Sequence, residues 1–148
     1  MSVPVVLKGR KREPAPIQGD SLGSRLRRRR RELGVCRVDA AMLIGADEKS
    51  LMWWERDERL PIVSAYPAII EFLGYEPWPE PRCLGDALLA ERRRRGLEIR
   101  KAAALIGVDE GTWRRWELGE WKPTHRSLPA LDQLMDASVA DLFPGDVR

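Results

Sequence analysis

An internal repeat places the strongest constraint on the fold. Shifted by 62 positions, residues 20–75 align with residues 82–137 without a gap, and about 19 of the 56 aligned positions are identical. The identities fall in blocks, among them Leu22-Gly23 with Leu84-Gly85 and Trp54-Glu55 with Trp116-Glu117. A unit of about 55 residues is close to the smallest size at which a hydrophobic core folds alone. The sequence therefore predicts two small domains of one design.

Each unit has the sequence pattern of helices alone. Leucines recur at helical spacing in the first predicted helix of each unit, and Gly34 and Gly96 stand where a left-handed cap ends it. Asp47 and Asp109 are suited to begin the third helix, because a short carboxylate accepts hydrogen bonds from the free N–H groups there. The prediction is an all-α fold of two tandem domains, each with four to five helices.

The predicted boundaries follow from composition and charge. The formal net charge is +3, and the segment 1–19 carries all of it, so this segment is predicted to be a flexible basic tail. Prolines at 77, 79 and 81 favour a stiff, extended linker over residues 75–82. The two domains are then predicted to span residues 20–74 and 83–148.

Several function classes find no support in the sequence. Cys36, Cys83 and the single His125 have no metal-ligand spacing, so no metal site is predicted. Nucleotide-binding glycine loops and nucleophile elbows are absent, so we predict no catalytic residue, no cofactor and no enzyme. An apolar run long enough for a membrane span, or for a signal peptide, is also absent, and a cytoplasmic protein without a membrane partner is expected.

Two stretches of the chain are similar to a known family. They are GLEIRKAAALIGVDEGTWRRWELGEWKP (96–123) and, more loosely, GVCRVDAAMLIGADEKSLMWWERDERLP (34–61). Both resemble the helix-turn-helix domain of the Cro and lambda-repressor family, also called the xenobiotic-response-element family. The resemblance implies recognition helices at about 47–56 and 109–118, with their N-terminal halves against the base edges of the major groove.

The resemblance also implies which residues contact DNA. Outward positions of the two recognition helices are Glu48, Lys49, Ser50, Met52 and Trp53 in the first unit, and Glu110, Gly111, Thr112, Arg114 and Arg115 in the second. Arg37 is expected to contact a phosphate, and Lys122 lies in the basic turn after the helix. Arginine can bind guanine O6 and N7 with two hydrogen bonds, and glutamate can accept one from cytosine N4.

The tail offers a further candidate contact. Lys8, Arg10, Lys11 and Arg12 lie in KGRKR, which is similar to the basic arms that enter a minor groove. The alternative is a flexible terminus without a contact to DNA.

Trp53 and Trp54 raise a separate question, because adjacent helical residues point about 100° apart. Trp54 and Trp116 are predicted to face inward, which leaves Trp53 outward. An indole ring has one donor and no acceptor, so Trp53 is expected either to pack on a thymine methyl or to contact a protein.

The duplication further predicts structural ion pairs of Arg30 with Glu55 and of Arg92 with Glu117, since all four residues are retained in the alignment and the family has such a pair.

Two function classes are weighed. The first is a bacterial or phage-type, sequence-specific double-stranded DNA-binding transcriptional regulator, acting as a monomeric pseudo-dimer or as a homodimer. A protein partner or RNA polymerase is an additional contact that this class allows. The second is an antitoxin or adaptor in which the first domain docks a protein through Trp53 and Met52. RNA binding is disfavoured, because no exposed aromatic sheet is predicted.

Overall fold

The computed structural model describes residues 20–148 and, before them, only the backbone of residues 11–12. The described residues are mostly helical, which confirms the all-α prediction. The chain divides into two compact units, Met1–Glu80 and Pro81–Arg148. Within residues 20–148, no helix is long and apolar enough to cross a membrane.

In the first unit, the described residues form four α-helices and one 3-10 turn. In chain order these are α1 (Leu22–Leu33), α2 (Arg37–Ile44), α3 (Glu48–Glu55), the 3-10 turn (Val63–Ala65) and α4 (Tyr66–Leu73). The predicted glycine cap is confirmed, since Gly34 ends α1 in the left-handed region with φ 68°. The core contains the buried side chains of Leu26, Ala40, Ala41, Ile44, Leu51, Trp54, Ile69, Phe72 and Leu73.

The second unit has five α-helices and ends in another 3-10 turn. They are α5 (Leu84–Arg95), α6 (Ile99–Ile106), α7 (Glu110–Glu117), α8 (Leu128–Met135), α9 (Val139–Leu142) and the 3-10 turn (Pro144–Asp146). Gly96 caps α5 with φ 68°, as Gly34 caps α1. The buried core residues are Leu84, Leu88, Ala102, Ala103, Trp113, Trp116, Leu131 and Val139.

One glycine in each unit allows the first helix to approach the end of the third closely. A Cβ placed on Gly23 would overlap with the carbonyl oxygens of Trp54 and Glu55, and one placed on Gly85 would overlap with that of Glu117. These oxygens belong to helix backbone and cannot turn aside as a flexible side chain can. The retained glycines therefore fix how closely the first helix packs on the candidate recognition helix.

The segment predicted as an extended linker is partly packed on the first unit. Trp78 is buried, and its ring centroid lies 6.1 Å from that of Tyr66. Burial of a large aromatic side chain outweighs the preference of the surrounding prolines for a free extended chain. Residues 75–78 thus belong to the packed part of the first unit, where the sequence predicted a linker.

A two-residue parallel strand pair joins this segment to the tail. Strand β1 (Lys11–Arg12) pairs with β2 (Tyr75–Glu76), and Lys11 lies opposite Tyr75. The backbone of these two residues is therefore hydrogen-bonded, in a segment predicted to be a flexible tail. Lys8 and Arg10 of the predicted arm lie outside the described residues, as do the side chains of Lys11 and Arg12.

Candidate nucleic-acid interface

In the second unit, a glycine turn and an aspartate cap position the candidate recognition helix. Gly107 ends α6 in the left-handed region with φ 75°. Asp109 then begins α7, and its Oδ1 accepts a hydrogen bond of 2.6 Å from the N–H of Thr112, which confirms the predicted cap. Hydrogen bonding with Thr112 lowers the pKa of the Asp109 carboxyl below its ordinary value. The negative cap keeps its charge at neutral pH and fixes the start of α7.

The first unit repeats this arrangement. Gly45 ends α2 with φ 82°, and Asp47 Oδ1 accepts a hydrogen bond of 2.6 Å from the N–H of Ser50. The bond to the Ser50 backbone is the largest cause that lowers the pKa of Asp47. Helix α3 therefore starts in the same way as α7, although the residues on its outer face differ.

The outer face of α7 carries two exposed arginines. Arg114 Nη2 lies 3.0 Å from Glu110 Oε1, and both side chains are about half exposed, so this pair contributes little to stability. The Arg115 guanidinium lies over the ring of Trp121, with Cζ 4.5 Å from the ring centroid. Gly111 has no side chain, and a Cβ there would lie 2.9 Å from Arg115 Nη1. Arg115 is thus folded back along the helix surface and stacked on an aromatic ring.

The outer face of α3 has a tryptophan where α7 has an arginine. Glu48 and Lys49 are exposed, and Ser50, Met52 and Trp53 are half-buried. Arg59 Cζ lies 3.7 Å from the Trp53 ring centroid, and Lys49 Nζ lies 5.1 Å from it. Trp53 is therefore covered by two cations and is not an open apolar surface.

The neighbouring tryptophan, Trp54, faces the core. Trp54 and Trp116 are buried at 8% and 4% exposure, which confirms that they are core residues. Trp113 is completely buried, and its indole Nε1 donates a hydrogen bond to Glu117 Oε2.

Both ion pairs predicted from the duplication are present. Arg30 donates to Glu55 through Nε at 2.7 Å and Nη2 at 3.0 Å, and these bonds raise the pKa of Arg30. Arg92 forms the same bidentate contact with Glu117, through its Nε and Nη2, and Arg92 Nη2 lies 3.0 Å from Glu117 Oε1. In each unit the pair ties the first helix to the end of the third, and Glu55 is fully buried.

Arg37, and the residue that aligns with it in the repeat, occupy different environments. Arg37 was predicted to contact a phosphate, and its Nε lies 3.7 Å from the buried Glu55 Oε1 while its side chain is 32% exposed. The corresponding Ile99 packs against the core of the second unit. A phosphate contact by Arg37 would thus compete with its attraction to Glu55.

A groove of about 300 Å³ lies beside α7. Thr112, Trp116, Trp121, Lys122, Thr124, Ser127 and Arg148 line it. Lys122 and Arg148 supply positive charge there, and Thr112 belongs to the predicted base-reading set. Thr112 and Lys122 thus line the same groove, although the two residues are ten positions apart in the chain.

Sequence reasoning missed Arg59 and Trp121, which cover Trp53 and Arg115. Each lies six residues after its partner, in a loop with no helical periodicity to reveal the contact. The only available signal was their correspondence in the 62-residue alignment. Among the described residues, no group of three His, Cys, Asp or Glu side chains could hold a metal ion.

Comparison with known proteins supports the interpretation of the second unit. A protein-family model described as a helix-turn-helix domain matches residues 84–142, which run from the first residue of α5 to the last of α9. A helix-turn-helix domain indicates a protein of the DNA-binding regulator class. No curated protein and no solved structure matches the chain significantly.

Proposed function

We propose that this protein is a sequence-specific regulator that binds double-stranded DNA through two tandem helix-turn-helix domains of the Cro and lambda-repressor type. In the second domain, helix α7 reads bases in the major groove of one half-site. In the first domain, helix α3 contacts the neighbouring half-site of the same duplex. One chain then binds two DNA half-sites, as a dimer of single-domain proteins would. The two half-sites differ in sequence because the outer faces of α3 and α7 differ.

The outer face of α7 is the observation that carries this proposal. Helix α7 follows a glycine turn and begins at a capped residue within the matched helix-turn-helix segment, and its outer face exposes Arg114 and Arg115. Arg115 is stacked on Trp121, and its guanidinium keeps N–H donors at the edge of the plane. A guanidinium held in this way is suited to the paired acceptors of guanine.

The groove beside α7 supplies the contact with the sugar-phosphate backbone of the DNA. Lys122 and Arg148 are cations, and Thr112 and Thr124 add hydroxyl groups, a combination suited to a DNA phosphate. Phosphate contacts fix the register of a protein on the duplex, and base contacts then select the sequence. We assign Lys122 to the first role and Arg115 to the second.

The alternative adaptor function receives less support. It requires Trp53 and Met52 as an open apolar docking surface, yet both are half-buried and Trp53 is covered by Arg59 and Lys49.

A scan of base substitutions in a selected DNA site tests the two roles. Arg115→Ala is expected to cost about 1–3 kcal/mol of binding free energy and to relax the choice at one base pair. Lys122→Ala is expected to weaken binding equally across sequences and to reduce the salt slope by about 1. The site is first selected from a random duplex pool, and affinities are then measured for every single-base variant. An unchanged base preference in Arg115→Ala would refute its assignment.

A further inference from the structure

Two positions in the repeat carry the same pair of residues in exchanged order. The 62-residue shift aligns Trp53 with Arg115, and Arg59 with Trp121. In the first unit the helix supplies the tryptophan and the loop supplies the arginine; in the second unit the helix supplies the arginine and the loop the tryptophan. Both units form the arginine–tryptophan stack, with Cζ-to-centroid distances of 3.7 Å and 4.5 Å.

The backbone holds the two positions together in the same way in both units. The N–H groups of Glu58 and Arg59 both donate to the carbonyl oxygen of Trp53, at 2.9 Å and 3.4 Å. Likewise, the N–H groups of residues 120 and 121 donate to the carbonyl oxygen of Arg115, at 2.9 Å and 3.3 Å. The loop therefore returns over the last part of the helix, whichever residue the helix carries.

The turn that produces this return requires a left-handed residue. Gly119 adopts φ 76° in the second unit, and Asp57 adopts φ 58° in the first. Asp57 is held there by its own side chain, which accepts hydrogen bonds from the Ser21 hydroxyl at 2.7 Å and the Gly23 N–H at 3.2 Å. In the first unit, these two hydrogen bonds therefore stabilise the same loop geometry without a glycine.

Each stack leaves an arginine at the surface. Arg59 and Arg115 are both exposed, and within residues 20–148 neither guanidinium lies within ion-pair distance of a carboxylate, although hydrogen bonds with Thr112 and, to a smaller extent, the charge of Arg115 lower the pKa of Asp109. An aromatic ring under a guanidinium attracts it and limits its motion, while the N–H donors at the edge of the guanidinium remain available. The exchange conserves this chemical group at the end of the candidate recognition helix.

We propose that Arg59 is a DNA-contacting residue of the first unit, equivalent in role to Arg115 of the second. Trp53 is then its aromatic support, and neither a base reader nor a protein-docking residue. The ligand feature that fits is a pair of acceptors in one plane, which duplex DNA presents at guanine O6 and N7 and at a phosphate. This inference rests on the proposed DNA-binding function.

Affinity measurements on the full chain test the role of Arg59. Arg59→Ala is expected to weaken binding to the selected site at least about fivefold. Arg56→Ala is the matched control, because Arg56 is exposed in the same loop, has the same charge and faces Glu58 rather than the ring. The same base scan and salt series distinguish the two sources of acceptors. A relaxed choice at one base pair assigns guanine, and a uniform loss with a slope smaller by about 1 assigns phosphate.

A series of variants that exchanges the arginine and the tryptophan independently tests whether Arg59 and Arg115 are equivalent. Arg59→Trp alone should lose affinity like Arg59→Ala, whereas the double variant W53R/R59W, which reproduces the order of the second unit, should recover most of it. Melting curves of each variant verify that the first unit is folded. The inference is overturned if Arg59→Ala binds like Arg56→Ala, or if the double variant binds no better than Arg59→Trp.

The outcome also separates this inference from the proposed function. If the wild-type chain binds no duplex DNA, the proposed function fails and the inference fails with it. If the wild type binds and Arg115→Ala weakens it, while Arg59→Ala matches its control, the inference alone is wrong.

Discussion

Replacing Glu117 by glutamine is expected to lower the free energy of unfolding of the second unit by about 3 kcal/mol. Glu117 accepts two hydrogen bonds from Arg92 and one from the buried Trp113 indole. The side chains of Arg92 and Glu117 are only 12% and 11% exposed, so the variant leaves a guanidinium without its counter-charge in a poorly solvated place. Removing one partner of a buried pair typically costs about 3–5 kcal/mol.

Urea unfolding, followed by circular dichroism, measures this effect. Glu110→Gln is the control, because it removes the same charge from the same helix in a pair whose side chains are about half exposed. Exposed pairs contribute roughly 0–1 kcal/mol, so the control should unfold close to the wild type. Equal midpoints for the two variants would show that the Arg92–Glu117 pair does not stabilise the packing of α5 on α7.

Adding a methyl group at Gly85 is expected to have a comparable effect. The Cβ of Gly85→Ala would overlap with the carbonyl oxygen of Glu117 and lie 3.2 Å from that of Trp116. Both oxygens are in helix backbone, so α5 must move away from α7 and the core of the second unit loses contacts. Overpacking of this kind typically costs about 1–3 kcal/mol, and we expect a value near 3 because two rigid elements clash.

Gly111→Ala provides the matched comparison for that substitution. Gly111 lies in α7 of the same unit, and the nearest atom to its new Cβ is Arg115 Nη1, the far end of a flexible side chain. Alanine is a better helix former than glycine by up to about 1 kcal/mol, so this variant should be as stable as the wild type or more stable. If Gly85→Ala unfolds at the same urea concentration as Gly111→Ala, the close approach of the two helices is wrong.

Much of this fold was predictable because it depends on local signals that occur twice. The glycines that follow the first and second helices of each unit, and the aspartates that precede the third, specify helix ends by short-range hydrogen bonds. The pairing of Arg30 with Glu55 is long-range, but both residues recur in the repeat as Arg92 and Glu117. Arg31 also recurs, as Arg93, and the resemblance to the family, which has such a pair, favoured Arg30. Duplication thus made a tertiary contact visible in the sequence.

The remaining contacts depend on tertiary packing that the sequence pattern does not encode. Trp78 lies among prolines, whose extended preference concealed its burial against Tyr66. The stack of Arg59 on Trp53 depends on the left-handed turn at Asp57, which is held by contacts with α1 that a local pattern cannot reveal. For this reason the candidate site was predicted mainly on the helices, and the loop residues Arg59 and Trp121 were missed although Lys122 was predicted.

The most direct test of the DNA-binding function is a salt series with the full wild-type chain and random-sequence duplex DNA. The logarithm of the observed binding constant should fall linearly with the logarithm of salt concentration, because each phosphate contact releases counterions. The expected slope is about −0.9 for each phosphate contacted, and two domains on one duplex should give a slope of several units. Absence of binding at the lowest salt concentration, or binding that does not change with salt, would contradict the proposed function.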